Sequence, residues 1–244
     1  MASFLSVVIP AYNEEPNVEP CYRELVGVLE GLRMPFEIIV VDDGSTDGTF
    51  AALRRLAAAD RRLRVLRFRR NVGQTGALAA GFRAARGDVV VTLDADLQND
   101  PRDIPALLAA LPGHDAVCGW RVDRHDPWTK RAGSRVANAV RRAITRDGVH
   151  DTGCMLKAFR RPALGHLPLY RGMHRFFPAL LRIEGFRVVE VPVHHRPRRA
   201  GQSKYGNWSR LWTGLADLWA VRWMARRRLG YEVVEECNPP ASGP

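Results

Sequence analysis

The chain has only four cysteines in 244 residues, Cys21, Cys118, Cys154 and Cys237, and no two stand at Cys-x-x-Cys spacing. That argues against a disulfide framework and a zinc module. Seven histidines are scattered, and the one adjacent pair, His194-His195, has no cysteine at ligand spacing. No charged-then-apolar leader opens the sequence, so reduced thiols and a cytoplasmic location are expected. Asp217 and Arg222 interrupt the best apolar stretch, so no membrane span is expected. The first apolar run is not followed by Gly-x-Gly-x-x-Gly, which disfavours a dinucleotide-binding dehydrogenase. There is no internal repeat, and the absence of zinc-finger, RNA-recognition and KH signatures speaks against a nucleic-acid partner.

What is present suffices for one large α/β domain, since 46% of residues are hydrophobic. Strand-like runs at Phe4 to Ile9, Phe36 to Val41, Leu63 to Arg67, Val89 to Leu93 and Ala116 to Trp120 alternate with helical stretches near Val18 to Leu32, Phe50 to Ala59, Thr75 to Arg86 and Ile104 to Leu111. That alternation predicts a mostly parallel, doubly wound sheet flanked by helices. We expect the domain over residues 1–230, an amphipathic helix within it at 206–229, and a disordered tail at 231–244.

Polar groups gather where the strands end. The run Asp88-Val89-Val90-Val91-Thr92-Leu93 leads into Asp94-Ala95-Asp96-Leu97-Gln98, which places two carboxylates at the carboxyl edge, where open α/β sheets bind ligands. With the amide oxygen of Gln98, they offer hard ligands to Mg²⁺ or Mn²⁺ against a diphosphate; the alternative is that they cap a following helix. A second strand ends in Asp42-Asp43-Gly44-Ser45, beyond which Asp47 has the place of a helix cap. The first runs into Pro10-Ala11-Tyr12-Asn13-Glu14.

These three motifs, in this order, closely resemble those of the family 2 glycosyltransferases of the GT-A fold. Asn71 to Ala77 is similar to the loop before that family's third helix. Leu97-Gln98, Asp151-Thr152-Gly153-Cys154 and Arg198 to Gly206 resemble motifs of its dolichol-phosphate mannosyltransferase and bacterial polyprenyl-phosphate subgroup. The match covers roughly residues 4 to 210. It implies an inverting, metal-dependent enzyme that moves a hexosyl group, mannose from GDP-mannose first, onto a polyprenyl or dolichyl phosphate. Pro10, Tyr12, Glu14, Val41, Asp43 and Ala95 would line the nucleotide site. Asp94, Asp96 and Gln98 would hold Mg²⁺ or Mn²⁺, with Asp96 counted as catalytic. Arg198 and Lys204 would close over the diphosphate, with Lys204 also catalytic. UDP-sugar donors, a saccharide acceptor, and a noncatalytic basic protein that binds nucleic acid or acidic membranes remain the alternatives.

Charge divides the chain. Residues 1 to 120 hold 13 Lys and Arg against 16 Asp and Glu, whereas residues 121 to 230 hold 24 against 7. A basic half beside an acidic metal site suits a reaction between two phosphorylated substrates. Arg121 follows the fifth strand and should reach the same edge as a catalytic group, and the resemblance also gives it to the acceptor phosphate. Lys130, Arg131 and Ser134 open a predicted helix, a phosphate cradle that the resemblance gives to the acceptor. Trp208, Trp212, Leu215, Trp219 and Trp223 form one stripe of the last helix, among arginines. Its partner is either the protein core or a membrane surface, which would make the protein peripheral on the cytoplasmic face, with a separate membrane-spanning partner as a further option.

Overall fold

A computed structural model of the chain describes residues 4–122, 148–197, 207–229 and 235, with backbone alone at 207–213 and 215. Lys130, Arg131, Ser134, Arg198 and Lys204 lie outside the described residues, as does nearly all of the expected tail.

The elements follow in the order β1 (Leu5–Ala11), α1 (Glu15–Gly31), β2 (Phe36–Asp42), α2 (Thr49–Ala59), β3 (Leu63–Arg67), α3 (Gln74–Ala84), β4 (Val89–Thr92), α4 (Ile104–Ala110), β5 (Ala116–Arg121), β6 (Lys157–Arg160), α5 (Arg161–Leu164), α6 (Phe177–Ile183), β7 (Val188–Val193) and α7 (Asn207–Arg227). The strands make one sheet in the order β3-β2-β1-β4-β6-β5-β7. β6 runs antiparallel to β4 and β5, and every other pairing is parallel. The expected mostly parallel α/β sheet is present.

Helices cover both faces of the sheet, which is why β1, β2 and β4 read as continuous apolar runs rather than alternating ones. Leu5, Val7 and Ile9 of β1 point to a cluster closed by Val18, Leu25 and Leu29 of α1, Leu53 of α2 and Ile104 and Leu107 of α4. Val8, Ile39, Val41 and Val90 point the other way, to Leu78 and Phe82 of α3, Phe177 and Leu180 of α6 and Leu218 and Val221 of α7. Each such side chain contributes roughly 1.5 to 3 kcal/mol when taken fully out of water.

The register sets the functional edge. Ala11 lies beside Asp42 and Val8 beside Thr92, so β1, β2 and β4 end close together and release their polar residues on one side. Because β6 is antiparallel, its first residue, Lys157, lies between Thr92 and Cys118, at the level where β5 carries on to Arg121.

Candidate active site

The β1 and β2 ends are stitched together by short polar contacts. Asn13 adopts a left-handed φ of 52°, its N–H donates to Ser45 Oγ (2.9 Å), and its side-chain oxygen accepts from the Thr46 N–H (2.8 Å). Asp42 is fully buried and accepts from the Ser45 N–H (3.0 Å), with Arg67 3.3 Å away. Asp47 accepts from the N–H of Thr49 (3.0 Å), close to the expected cap of α2. Glu14 stands at the N-terminus of α1, where its carboxylate accepts from Asn17 Nδ2 (2.7 Å).

Asp43 is nearly buried and holds the loop before α3. Its Oδ1 accepts from the Val72 N–H (2.7 Å), and its Oδ2 from the Gly73 N–H (2.8 Å) and Asn71 Nδ2 (2.9 Å). Burial pushes its carboxyl above the ordinary value, against the two backbone N–H groups that pull it down. Asp43 therefore fixes the shape of this loop at the strand edge. Val41 and Ala95, both expected in the site, are buried and pack into the two core clusters at this edge of the sheet. Pro10 and Tyr12 are partly exposed at the end of β1.

After β4 the chain makes a tight loop, and no helix follows for Asp94 and Asp96 to cap directly. Leu97 is buried with φ +63°, a left-handed conformation that a leucine rarely adopts. Asp96 Oδ1 accepts from the Gln98 N–H (3.1 Å), and Asp94 Oδ1 accepts from Gln74 Nε2 at the start of α3 (2.8 Å). Beneath them, burial pushes the Cys21 thiol up to about 12, and Asp96, Glu24, Asp94 and Glu14 add to the push. Four carboxylates thus lie within electrostatic reach of this edge. Among the described residues no group of three His, Cys, Asp or Glu side chains converges on a metal position. A pair of carboxylates with room for phosphate oxygens and water is the usual way in which Mg²⁺ is held on a nucleotide, so the donor set fits such an ion.

Arg121 reaches the same edge but is already engaged. Its Nε and Nη2 form a two-pronged pair with Asp151 (2.6 and 3.0 Å), and Asp94 is among the charges that favour its protonated form. The Asp151 N–H in turn donates to Glu190 (3.0 Å), which also binds the His150 backbone and ring, and that ring stacks on Trp120 at 4.7 Å. On the far side, the Arg196 N–H donates to Gln98 O (2.9 Å) and the Arg196 side chain pairs with Asp100 and Glu24. Burial opposes ionisation of Asp100, yet the hydrogen bonds from Arg102 and Arg196 hold its carboxyl well below the usual range. The segment leading to Arg198 thus leaves from beside the acidic loop. Gln74, Asn71 and Asn13 take part in these contacts; the sequence reading placed them in its motifs without giving them a role, because the Gln74–Asp94 pairing joins residues 20 apart.

The polar ends of β1 and β2, the acidic loop after β4 and Arg121 at the end of β5 thus meet at one edge of the sheet. The family model of glycosyl transferase family 2 matches residues 6–167, and the chain belongs to that family. It is 39% identical over 205 residues to an undecaprenyl-phosphate 4-deoxy-4-formamido-L-arabinose transferase of Edwardsiella ictaluri, covering 83% of this chain and 63% of that protein. It is 38% identical over 228 residues to a dodecaprenyl-phosphate galacturonate synthase of Rhizobium johnstonii, covering 91% of this chain and 67% of that one. Among solved structures, glucosyl-3-phosphoglycerate synthase of Mycobacterium tuberculosis, in complex with Mn²⁺, UDP and phosphoglyceric acid, shares the fold at a TM-score of 0.69 and 24% identity, over 92% of this chain and 78% of that one. A mannosyltransferase of Pyrobaculum calidifontis, in complex with GDP-Man and Mn²⁺, superposes at 0.62 with 25% identity, over 94% and 65%.

Proposed function

We propose that the protein transfers a glycosyl group from a nucleotide sugar to a polyprenyl phosphate, with inversion at the anomeric carbon. The observation that carries this reading is the Asp94–Asp96 pair set in a strained loop at the strand edge, with Arg121 on the other flank. The two relatives named for undecaprenyl and dodecaprenyl phosphate favour a lipid phosphate over a saccharide acceptor. They act on an arabinose derivative and on galacturonate, so mannose loses its place as the first donor, and UDP-sugars stand beside GDP-mannose.

The chemistry asks little of a general base. A phosphate monoester has a second pKa near 6, so at neutral pH its oxygen is already an anionic nucleophile. That oxygen attacks the anomeric carbon, and the bond from this carbon to the nucleoside diphosphate breaks. Bound between Asp94 and Asp96, with Gln98 as a further expected ligand, Mg²⁺ or Mn²⁺ would neutralise charge on the leaving diphosphate. Gln74 orients Asp94, and Asp151 orients Arg121, whose guanidinium offsets the repulsion between two anions. Lys130, Arg131, Ser134, Arg198 and Lys204 are proposed to add donors to the acceptor phosphate and the diphosphate.

The test is transfer of label from a panel of UDP- and GDP-sugars into organic-extractable polyprenyl phosphate, with Mn²⁺. Asp96→Ala should lower turnover roughly a thousandfold or more while leaving the fold intact. Unchanged turnover in Asp96→Ala and in EDTA would overturn the metal assignment; no lipid product from any donor would overturn the acceptor assignment.

A further inference from the structure

Helix α7 presents two unlike faces. Its inner face packs Leu218 and Val221 into the second core cluster, with Ala220 and Met224 partly covered against it. Asp217 also turns inward, so close to Gly172 that a Cβ there would lie 2.8 Å from its Oδ2. At the carboxyl end, Arg228 Nη2 donates to the Glu184 carbonyl (3.0 Å). The helix is therefore fixed in rotation, and its other face is committed to the outside.

That outer face is aromatic and cationic. Trp219 and Trp223 are 64% and 62% exposed, and Leu229 just beyond the helix is 82% exposed. Four residues apart, the two indoles stand side by side on one face. Arg226 and Arg227 are exposed beside them, and the Arg227 guanidinium lies 6.0 Å from the Trp223 ring centre. The one acidic residue of the helix, Asp217, is on the inner side. Two neighbouring exposed indoles are an unusual surface for a solvated helix. They match the boundary of a bilayer, where an indole is wetted at one end and buried at the other while guanidinium groups reach lipid phosphates. No helix among the described residues is long and apolar enough to cross a membrane.

We propose that the outer face of α7 docks flat on a bilayer that contains anionic lipid, with Trp219 and Trp223 at headgroup depth. A helix of 21 residues lying in the surface gives a contact about 30 Å long. The same packing sets how far the acidic edge stands from the lipid. Gly172, against Asp217, donates its N–H to Thr75 Oγ1 (3.1 Å), and Thr75 adjoins Gln74, the partner of Asp94.

The experiment is co-sedimentation of the full chain with phosphatidylcholine vesicles, with and without phosphatidylglycerol and free of polyprenyl phosphate, so that its outcome is separate from that of the transfer assay. Wild type should bind the anionic vesicles, less at high salt. The double variant Trp219→Ser/Trp223→Ser should lower partitioning by about tenfold or more with an unchanged melting temperature. Arg226→Glu/Arg227→Glu should do the same by a charge route and provides the test if the tryptophan variant fails to fold. Wild type that ignores both kinds of vesicle overturns the proposal, as do variants that bind like wild type. A concentration-dependent dimer that the tryptophan variant abolishes, without vesicle binding, would assign the face to a second copy of the chain instead.

Discussion

At the scale of single residues, the carboxylates at the strand ends divide by what they already hold. Asp43 spends both oxygens on the Asn71-Val72-Gly73 loop. Asparagine at this position would turn an NH₂ group toward at least one backbone donor. Asp43→Asn should therefore lower unfolding stability by about 1 to 3 kcal/mol even without substrate, measured by urea denaturation. Asp96, in contrast, accepts the Gln98 N–H and lies among like charges, so Asp96→Ala should leave stability unchanged or raised while removing activity. Should Asp43→Asn prove neutral and Asp96→Ala costly, the two assignments would have to be exchanged. Gly44 is a third kind of position. Its φ is +72°, and a Cβ there would approach the Arg70 carbonyl carbon to 2.4 Å. Gly44→Ala has to push apart the loops after β2 and β3, and should cost more than about 2 kcal/mol by the same measurement.

At the scale of elements, the contact between α3 and the segment before α6 has a built-in pH response. Thr75 Oγ1 accepts from the Gly172 N–H and lies 2.8 Å from His174 Nδ1, where a neutral imidazole can take the hydroxyl proton. Burial, helped by Arg175 and Lys157, pushes the His174 pKa down to about 3 from 6.5. The unfolded chain binds this proton below pH 6.5 and the native one does not, so stability is complete above 6.5 and declines as the pH falls from there toward 3. At pH 5 this group should account for a loss of about 2 kcal/mol, which His174→Asn, an untitratable acceptor, should not show. Equal losses between pH 7 and pH 5 in the two proteins would exclude His174 as the source.

The same scale shows what was legible in the sequence. β1, β2 and β4 announced themselves because each is an apolar run covered on both faces, whereas β3, Leu-Arg-Val-Leu-Arg at the sheet edge, and β5 showed through their place in the strand–helix alternation. β6 and β7 did not. β6 has four residues and opens with Lys157, fully buried with its ammonium donating to the Cys154 carbonyl, so a charge stands where the pattern calls for an apolar residue. β7, at the sheet edge, carries Glu190 and Pro192, which break a strand signal but are tolerated where one side has no partner. In the site, Asp94 and Asp96 could be read from two adjacent motifs, whereas the Arg121–Asp151 pair joins residues 30 apart across β5 and the approach to β6. The tryptophan spacing was visible, but not that a second stripe, Leu218 and Val221, would take the inward side and leave Trp219 and Trp223 exposed.

At the scale of the whole molecule, the sheet divides the work between its two sides. β3, β2, β1 and β4 release the acidic and amide groups, while β5 and the segment after β7 deliver arginines to the same edge. On the proposed reading a cation and a nucleotide bind at this edge, and binding them should tighten the protein as a unit. With Mn²⁺ and a nucleoside diphosphate at 100 times the dissociation constant, linkage predicts a gain of about 2.7 kcal/mol. For a domain of this size that corresponds to a rise in melting temperature of roughly 5 to 10 °C. EDTA and Asp96→Ala should each abolish the rise. Arg131→Ala and Ser134→Ala should keep it while raising the apparent Michaelis constant for polyprenyl phosphate, because a lost charge-assisted contact, about 1.5 to 3 kcal/mol, is felt only where that phosphate lies. A nucleotide-induced shift that vanishes in Ser134→Ala would move that segment to the donor side. A shift that survives EDTA would show that the diphosphate is held by the arginines alone.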